Sequence, residues 1–295
     1  MIRSMDHYCE KKSKGAVVNI HDFRLLDLIS QIINSNDSSN DVSIARFLIN
    51  HLQVADSIRV SRIMKEAYVT RAAVRRFCNH LGYTNLSELR SSFSRVVFPS
   101  NIRFRNMSEK PEAYHSILDN ELSKMFADIR LHINDGLICS CAYDIYQHES
   151  VEILSANNIS GNLIRFQQEM FYAGKIVRLT SISDIIKGAS YRESPNKVLI
   201  IVISVSGKFA KEIDAYVCGR TARKVLITAF CNKTTPSHYD STLFISSAGN
   251  GIDKYGIYAK YGITYLLDLL SSCYISRYAK ETKNNLFGPR SKWID

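Results

Sequence analysis

The chain has 295 residues, 45% apolar and 22% charged, which is the composition of a soluble globular protein at a length that favours two domains. The longest apolar stretch, Val198 to Val205, falls far short of the roughly 20 residues a membrane-spanning helix needs, and the opening Met1-Ile-Arg-Ser-Met-Asp6 lacks the apolar core of a signal peptide, so a cytoplasmic protein without a membrane partner is expected. The net charge of +10 is uneven: residues 1–105 carry 16 Lys/Arg against 9 Asp/Glu and residues 106–295 carry 22 against 19, so the basic excess that suits a polyanion lies in the first third.

In chain order, Phe23, Leu25, Leu26, Leu28, Ile29, Ile32 and Ile33 form one apolar helical stripe over 22–33, followed by the loop chemistry of Asn34-Ser-Asn-Asp-Ser-Ser-Asn-Asp41. Val42, Ile44, Ala45, Phe47, Leu48 and Leu52 repeat at three and four and predict a second helix. Ser61 is the expected N-cap of a short third helix that runs to Ala67. The next segment reads Tyr68-Val-Thr-Arg-Ala-Ala-Val-Arg-Arg-Phe-Cys-Asn-His-Leu-Gly82. Thr70 can cap a helix to about His80, and Gly82 suits the position just past its end. At 100° per residue Val74, Phe77 and Leu81 share one side, while Ala72, Arg75, Arg76 and Asn79 point the other way.

A short helix, a tight turn and a second helix with a basic outer face have the spacing of a helix-turn-helix that lays its second helix in the major groove. The expected DNA contacts are Thr70, Arg71, Arg75, Arg76 and Asn79. The alternative is an ordinary amphipathic helix with solvated arginines. The preceding helix and the segregated charge weigh against it.

After Phe98-Pro99, residues 100–110 are polar and basic and read as a linker, and helical patterns follow from Pro111 to about Tyr146. Strand-like runs at 151–156, 175–180, 198–204, 224–228 and 242–246 then alternate with helical patterns at 162–173 and 208–220, and a long apolar helix covers 255–278. This alternation predicts a parallel α/β sheet with both faces covered. The expected organisation is therefore α + α/β: an all-helical domain over 1–98, a linker and connecting helix over 99–124, and an α/β domain over 125–295.

Ligands of such sheets sit beyond the carboxyl ends of strands. Ser204-Val-Ser206-Gly207-Lys208 offers two hydroxyls, a glycine and a lysine at a helix start, which suits a phosphate. A serine-rich turn without a ligand is the equal alternative. The seven cysteines form no CxxC pair and read as reduced thiols. Cys139 and Cys141 are their one local cluster, and no metal site is expected.

Both halves resemble the RpiR/MurR family of bacterial regulators over roughly residues 20–280. Val69-Thr-Arg-Ala-Ala-Val-Arg-Arg-Phe-Cys-Asn-His-Leu-Gly-Tyr83 is similar to the family's Val-Ser-x-Ala-Thr-Val-x-Arg-Phe-x-x-x-Leu-Gly-Phe, with Tyr68 where the family usually carries glycine. Ile203-Ser-Val-Ser-Gly207 is similar to the Ile-Ser-x-Ser-Gly-x-Thr motif of SIS (sugar isomerase) domains, with Phe209 in the threonine's place. The family's Gly-x-Gly-x-Ser loop corresponds to Ser155-Ala-Asn-Asn-Ile-Ser160.

The resemblance implies a transcription regulator of carbohydrate genes, homodimeric or tetrameric, that binds an operator in double-stranded DNA and responds to a sugar phosphate held by Asn158, Ser160, Ser204, Ser206, Gly207 and Lys208. No cofactor and no catalysis are expected. Glu149, His148, Glu169, Glu212 and His238 are available as general bases, but none lies in a motif that singles it out. The lost hydroxyls and glycines leave two alternatives open. One is a regulator whose SIS domain only dimerises or takes another effector, and the other is a phosphosugar isomerase with a basic appendage.

Overall fold

A computed structural model describes residues 25–35, 39–51, 57–93, 114–156, 160–180, 185, 197–229, 238–246 and 256–279. The basic linker expected over 100–110 and the start of the first helix at 22–24 lie outside these residues. The chain divides into two compact units, Met1–Val96 and Val97–Asp295.

The first unit is helical in its described residues. Helix α1 (Leu25–Asn34) buries Leu25, Leu28, Ile29 and Ile32, the single stripe that its spacing of three and four residues implies. Helix α2 (Asn40–Asn50) is capped by Ser39, whose Oγ accepts from the Val42 N–H, and buries Val42, Ile44, Ala45, Phe47 and Leu48. Helix α3 (Val60–Glu66) starts one residue before the expected Ser61 cap. Arg59 holds the cap position and no side chain accepts there, so the extended backbone of Arg59 rather than a hydroxyl starts this helix.

Helix α4 (Arg71–His80) is followed by α5 (Leu86–Phe93), which the sequence reading did not anticipate. Its signal was local: Asn85 Oδ1 accepts from the Glu88 N–H, and Glu88 Oε2 accepts from the Thr84 N–H, a reciprocal cap written as Thr-Asn-x-x-Glu. Leu25, Ile44, Ile63, Phe77, Leu81, Tyr83 and Leu89 close one core among the five helices.

In the second unit the helical run expected from 111 to 146 is two helices, α6 (Tyr114–His132) and α7 (Asp135–Gln147). They are separated where Asn134 leaves the helix to cap α7 through the Leu137 N–H. Five strands follow, β1 (Ser150–Ser155), β2 (Ile176–Thr180), β3 (Val198–Ile203), β4 (Arg223–Thr228) and β5 (Ser241–Phe244), with α8 (Ser160–Tyr172) between the first two. All pairings are parallel and the order is β2-β1-β3-β4-β5, as the strand–helix alternation predicts in class.

The single helix expected over 208–220 is two short ones, α9 (Lys208–Glu212) and α10 (Asp214–Cys218), broken at Ile213, whose buried side chain stays in the core while its backbone leaves the helical region. The chain ends its described part in a π-helical turn, Tyr258–Gly262, that runs into α11 (Ile263–Tyr278). A side chain at Gly262 would meet Ile129 and Met125 of α6 at 3.2 Å, so glycine permits this close approach. Beside it the Tyr258 hydroxyl donates to Asp128 Oδ2 at 2.6 Å.

Because strand side chains alternate, the sheet has two distinct buried faces. Val151, Ile153, Leu199, Ile201, Val225 and Ile227 pack with Ile129, Ile145, Phe166, Leu266 and Leu270 from α6, α7, α8 and α11. Leu154, Ile200, Val202 and Leu226 face the other way, and on that side Phe209, Ala210, Ile213 and Val217 of the α9–α10 segment are buried. Lys175 is buried at the start of β2, where its ammonium donates to the Tyr146 and His148 carbonyls at the end of α7. Burial lowers its pKa. Among the described residues no helix is long and apolar enough to cross a membrane.

Candidate functional site

The basic face of the first unit is built by α4. Thr70 Oγ1 accepts from the Ala73 N–H at 3.2 Å, the expected cap. At the other end Gly82, with φ 88°, lets its N–H reach Asn79 O while the Tyr83 N–H bonds Cys78 O, a Schellman closure that satisfies the last carbonyls. Between these stops Ala73, Val74, Phe77 and Cys78 are buried, and Arg71, Ala72, Arg75, Arg76 and Asn79 are exposed.

Nearby acids are engaged elsewhere. Glu66 pairs with Arg62 at 2.7 Å, and Asp41 with His80 at 3.0 Å. Among the described residues no ion pair neutralises Arg71, Arg75 or Arg76, so their charge faces solvent. The turn before α4 closes α3 in the same way that Gly82 closes α4. The Val69 N–H bonds Met64 O, and the residue between, Tyr68, takes the left-handed conformation (φ 54°) with its side chain 92% exposed.

In the second unit the chain runs from β1 outward to β2 and then returns past β1 to β3, so the strand order reverses between β1 and β3. Ser155 at the end of β1 is paired with Ile203 at the end of β3. The two loops singled out in sequence therefore issue side by side from the carboxyl edge, at the switch point where such sheets hold ligands. Asn158 lies outside the described residues, and Ser160 is placed as the first residue of α8.

The β3 loop is held by β4: the Ser204 N–H bonds Ile227 O, the Ala229 N–H bonds Val205 O, and Thr228 Oγ1 donates to Ser204 O at 2.7 Å. Gly207 has φ 73°, a conformation that favours glycine, and its N–H returns to Ser204 O. Ser204 is buried and its Oγ accepts from the Ala210 N–H at 3.1 Å, so this hydroxyl helps to build the loop. Ser206 and Lys208 are exposed, whereas Phe209 turns into the core.

The acids and histidines considered as bases are dispersed. His148 and Glu149 precede β1 and His238 precedes β5, at the amino edge of the sheet. Glu149 pairs with Lys197, and His238 lies 3.1 Å from Asp214. Glu169 pairs with Arg165 on α8, and Glu212 closes α9. Cys139 and Cys141 do not converge: Cys139 Sγ lies 3.6 Å from Cys273 of α11, while burial pushes the Cys141 thiol up to about 12. No group of three metal-binding side chains occurs among the described residues.

Sequence reasoning missed one buried polar cluster on the α9–α10 side of the sheet. Glu152 in β1 accepts from Thr180 Oγ1 at 2.6 Å, from the Tyr216 hydroxyl at 3.3 Å and from Arg220 Nη2 at 3.0 Å, and Arg220 Nη1 donates to the Tyr216 oxygen. Burial and the Glu152 charge push the Tyr216 phenol up to about 12. The signal available was a lone acid inside an apolar strand of a sheet covered on both faces.

No protein-family model and no curated protein sequence matches the chain. Among solved structures it is similar to the Vibrio vulnificus NanR protein complexed with ManNAc-6P, at 14% identity over 88% of this chain and 96% of that one, with a TM-score of 0.48. It is also similar to the sugar isomerase domain of the RpiR transcription factor from Sphaerobacter thermophilus, at 13% identity over 61% of this chain and 99% of that one (TM-score 0.42). A putative sugar binding protein from Salmonella typhimurium follows at 10% identity over 86% of this chain and 99% of that one, with a TM-score of 0.41. These likenesses are weak, and the functional reading rests on the chain's own residues.

Proposed function

We propose that this chain is a DNA-binding transcription regulator in which α3, the 67–70 turn and α4 form a helix-turn-helix. The observation that carries the reading is the segregation of α4, with an apolar buried side and an outer side whose three arginines are left without acidic partners among the described residues. Such a surface neutralises phosphates and gains by releasing their counterions. Arg75, Arg76 and Asn79 reach bases or phosphates in the major groove, and Thr70 and Arg71 lie near the backbone. A homodimer would present two such helices to a palindromic operator.

The second unit, on this reading an SIS-type effector domain, takes a sugar phosphate at the carboxyl edge with Ser206 and Lys208 as donors. It acts as a sensor rather than an isomerase on this reading, which is supported by His148, Glu149 and His238 lying at the opposite edge of the sheet and by the pairing of Glu169 with Arg165.

The test is a gel shift with a duplex that the wild-type protein selects from a random-sequence pool. Arg75→Ala with Arg76→Ala should weaken binding at least tenfold and reduce the salt slope by about 2. Unchanged affinity would refute the placement. One observation favours a second reading, in which the α/β unit only assembles the protein: Ser204 is bonded within its loop and Phe209 is buried. Thermal unfolding with hexose and pentose phosphates separates the two. A sensor gains about 2.7 kcal/mol at a hundredfold excess over Kd, and an assembly module gains nothing.

A further inference from the structure

Tyr68 is placed where its own backbone would favour another residue. The turn that closes α3 is made by main-chain bonds, Ala67 N–H to Ile63 O at 2.8 Å and Val69 N–H to Met64 O at 3.2 Å. It asks of position 68 only a positive φ, which glycine adopts freely and a Cβ-bearing residue adopts at a cost. Packing does not offset that cost, because the ring is 92% exposed. A local rule broken without local compensation points to a role outside the fold.

Its position supplies the role. Tyr68 stands two residues before the Thr70 cap and three before Arg71, so an exposed ring sits in the turn that leads into the end of α4 at which a reading helix meets the duplex. We propose that Tyr68 is a further DNA contact of this unit, with its hydroxyl donating to a backbone phosphate and its ring lying against the adjoining sugar. Such a contact fixes the register of α4 on the duplex without reading sequence. The proposal rests on the helix-turn-helix reading above.

The test compares wild-type protein, Tyr68→Phe, Tyr68→Gly and the Arg75/Arg76 double alanine variant by fluorescence anisotropy at fixed salt. The probes are a labelled duplex selected by the wild-type protein from a random-sequence pool and an unrelated duplex of equal length. Tyr68→Phe should weaken binding to both duplexes roughly tenfold, the loss of one hydrogen bond to a charged group. Tyr68→Gly should bind at least as weakly while unfolding at a higher temperature than wild type, so that lost affinity cannot be lost folding.

Wild-type affinity in Tyr68→Gly would overturn the proposal, as would a lowered unfolding temperature, which would give the ring a structural task. If those results came with a weakened arginine variant, the helix-turn-helix reading would stand and the Tyr68 contact alone would fall. If the wild-type protein enriched no duplex from the pool, both would fall together.

Discussion

Replacing Arg220 with methionine removes the guanidinium that neutralises a carboxylate in the middle of the sheet. The Glu152 side chain is 2% exposed and that of Arg220 17% exposed, with their charged atoms 3.0 Å apart. Without its partner the carboxylate stays buried, and among the described residues the Thr180 and Tyr216 hydroxyls remain as its donors. Breaking a buried ion pair from one side costs about 3–5 kcal/mol, and Arg220→Met should fall in that range.

Glu152→Gln should cost less, about 1–3 kcal/mol, because it keeps the side-chain volume and leaves a guanidinium that can still reach water. The double variant Glu152→Leu with Arg220→Met removes both charges and leaves the Thr180 and Tyr216 hydroxyls without this acceptor, so it should cost less than Arg220→Met alone. The assay is urea unfolding of the full chain followed by circular dichroism, with the helical unit's own transition as the internal reference. The reasoning is refuted if Arg220→Met costs under about 1 kcal/mol, or if the double variant loses the sum of the two single changes.

Thr70→Ala removes the acceptor for the Ala73 N–H and should destabilise the first unit by about 0.5–2 kcal/mol in thermal unfolding; no loss would show the cap to be idle. Gly161, in the first turn of α8, has no heavy atom within 4 Å of where a Cβ would stand. Gly161→Ala should therefore stabilise the second unit by about 0.5–1 kcal/mol, and a lower melting point would contradict this. Burial pushes the thiols of Cys78 and Cys141 up to about 11 and about 12 from an ordinary value of 9.0, so the folded chain holds protons that the unfolded chain releases. Stability is then full below about pH 9 and falls as the pH rises toward 12, by about 1.4 kcal/mol per pH unit for each group. Cys141→Ala should flatten that alkaline loss in a pH series of urea midpoints, and an unchanged slope would remove the cause assigned to it.

Much of the first unit was legible because its determinants are local. The spacing of Val74 and Phe77, the Thr70 cap and the Gly82 stop all act within a few turns of one helix, and the structure places them as read. Helix α5 is equally local in its determinants, the Thr84-Asn85-x-x-Glu88 signal. In the second unit the run from Val198 to Ile203 announced a strand buried on both faces. Where a helix breaks was less legible: the division at Ile213 follows from packing against the sheet and leaves no proline or glycine to announce it.

By itself the sequence determined the helix with a basic outer face, the alternation of strands and helices, and hence the class of sheet, since periodicity and capping depend on neighbours in the chain. Only the tertiary structure decided the order β2-β1-β3-β4-β5, which brings the ends of β1 and β3 together, and the use of Ser204 inside its own loop. It also decided the meeting of Glu152 with Arg220, 68 residues away. Those choices depend on which strands lie side by side once both faces of the sheet must be covered, and no local pattern carries that information.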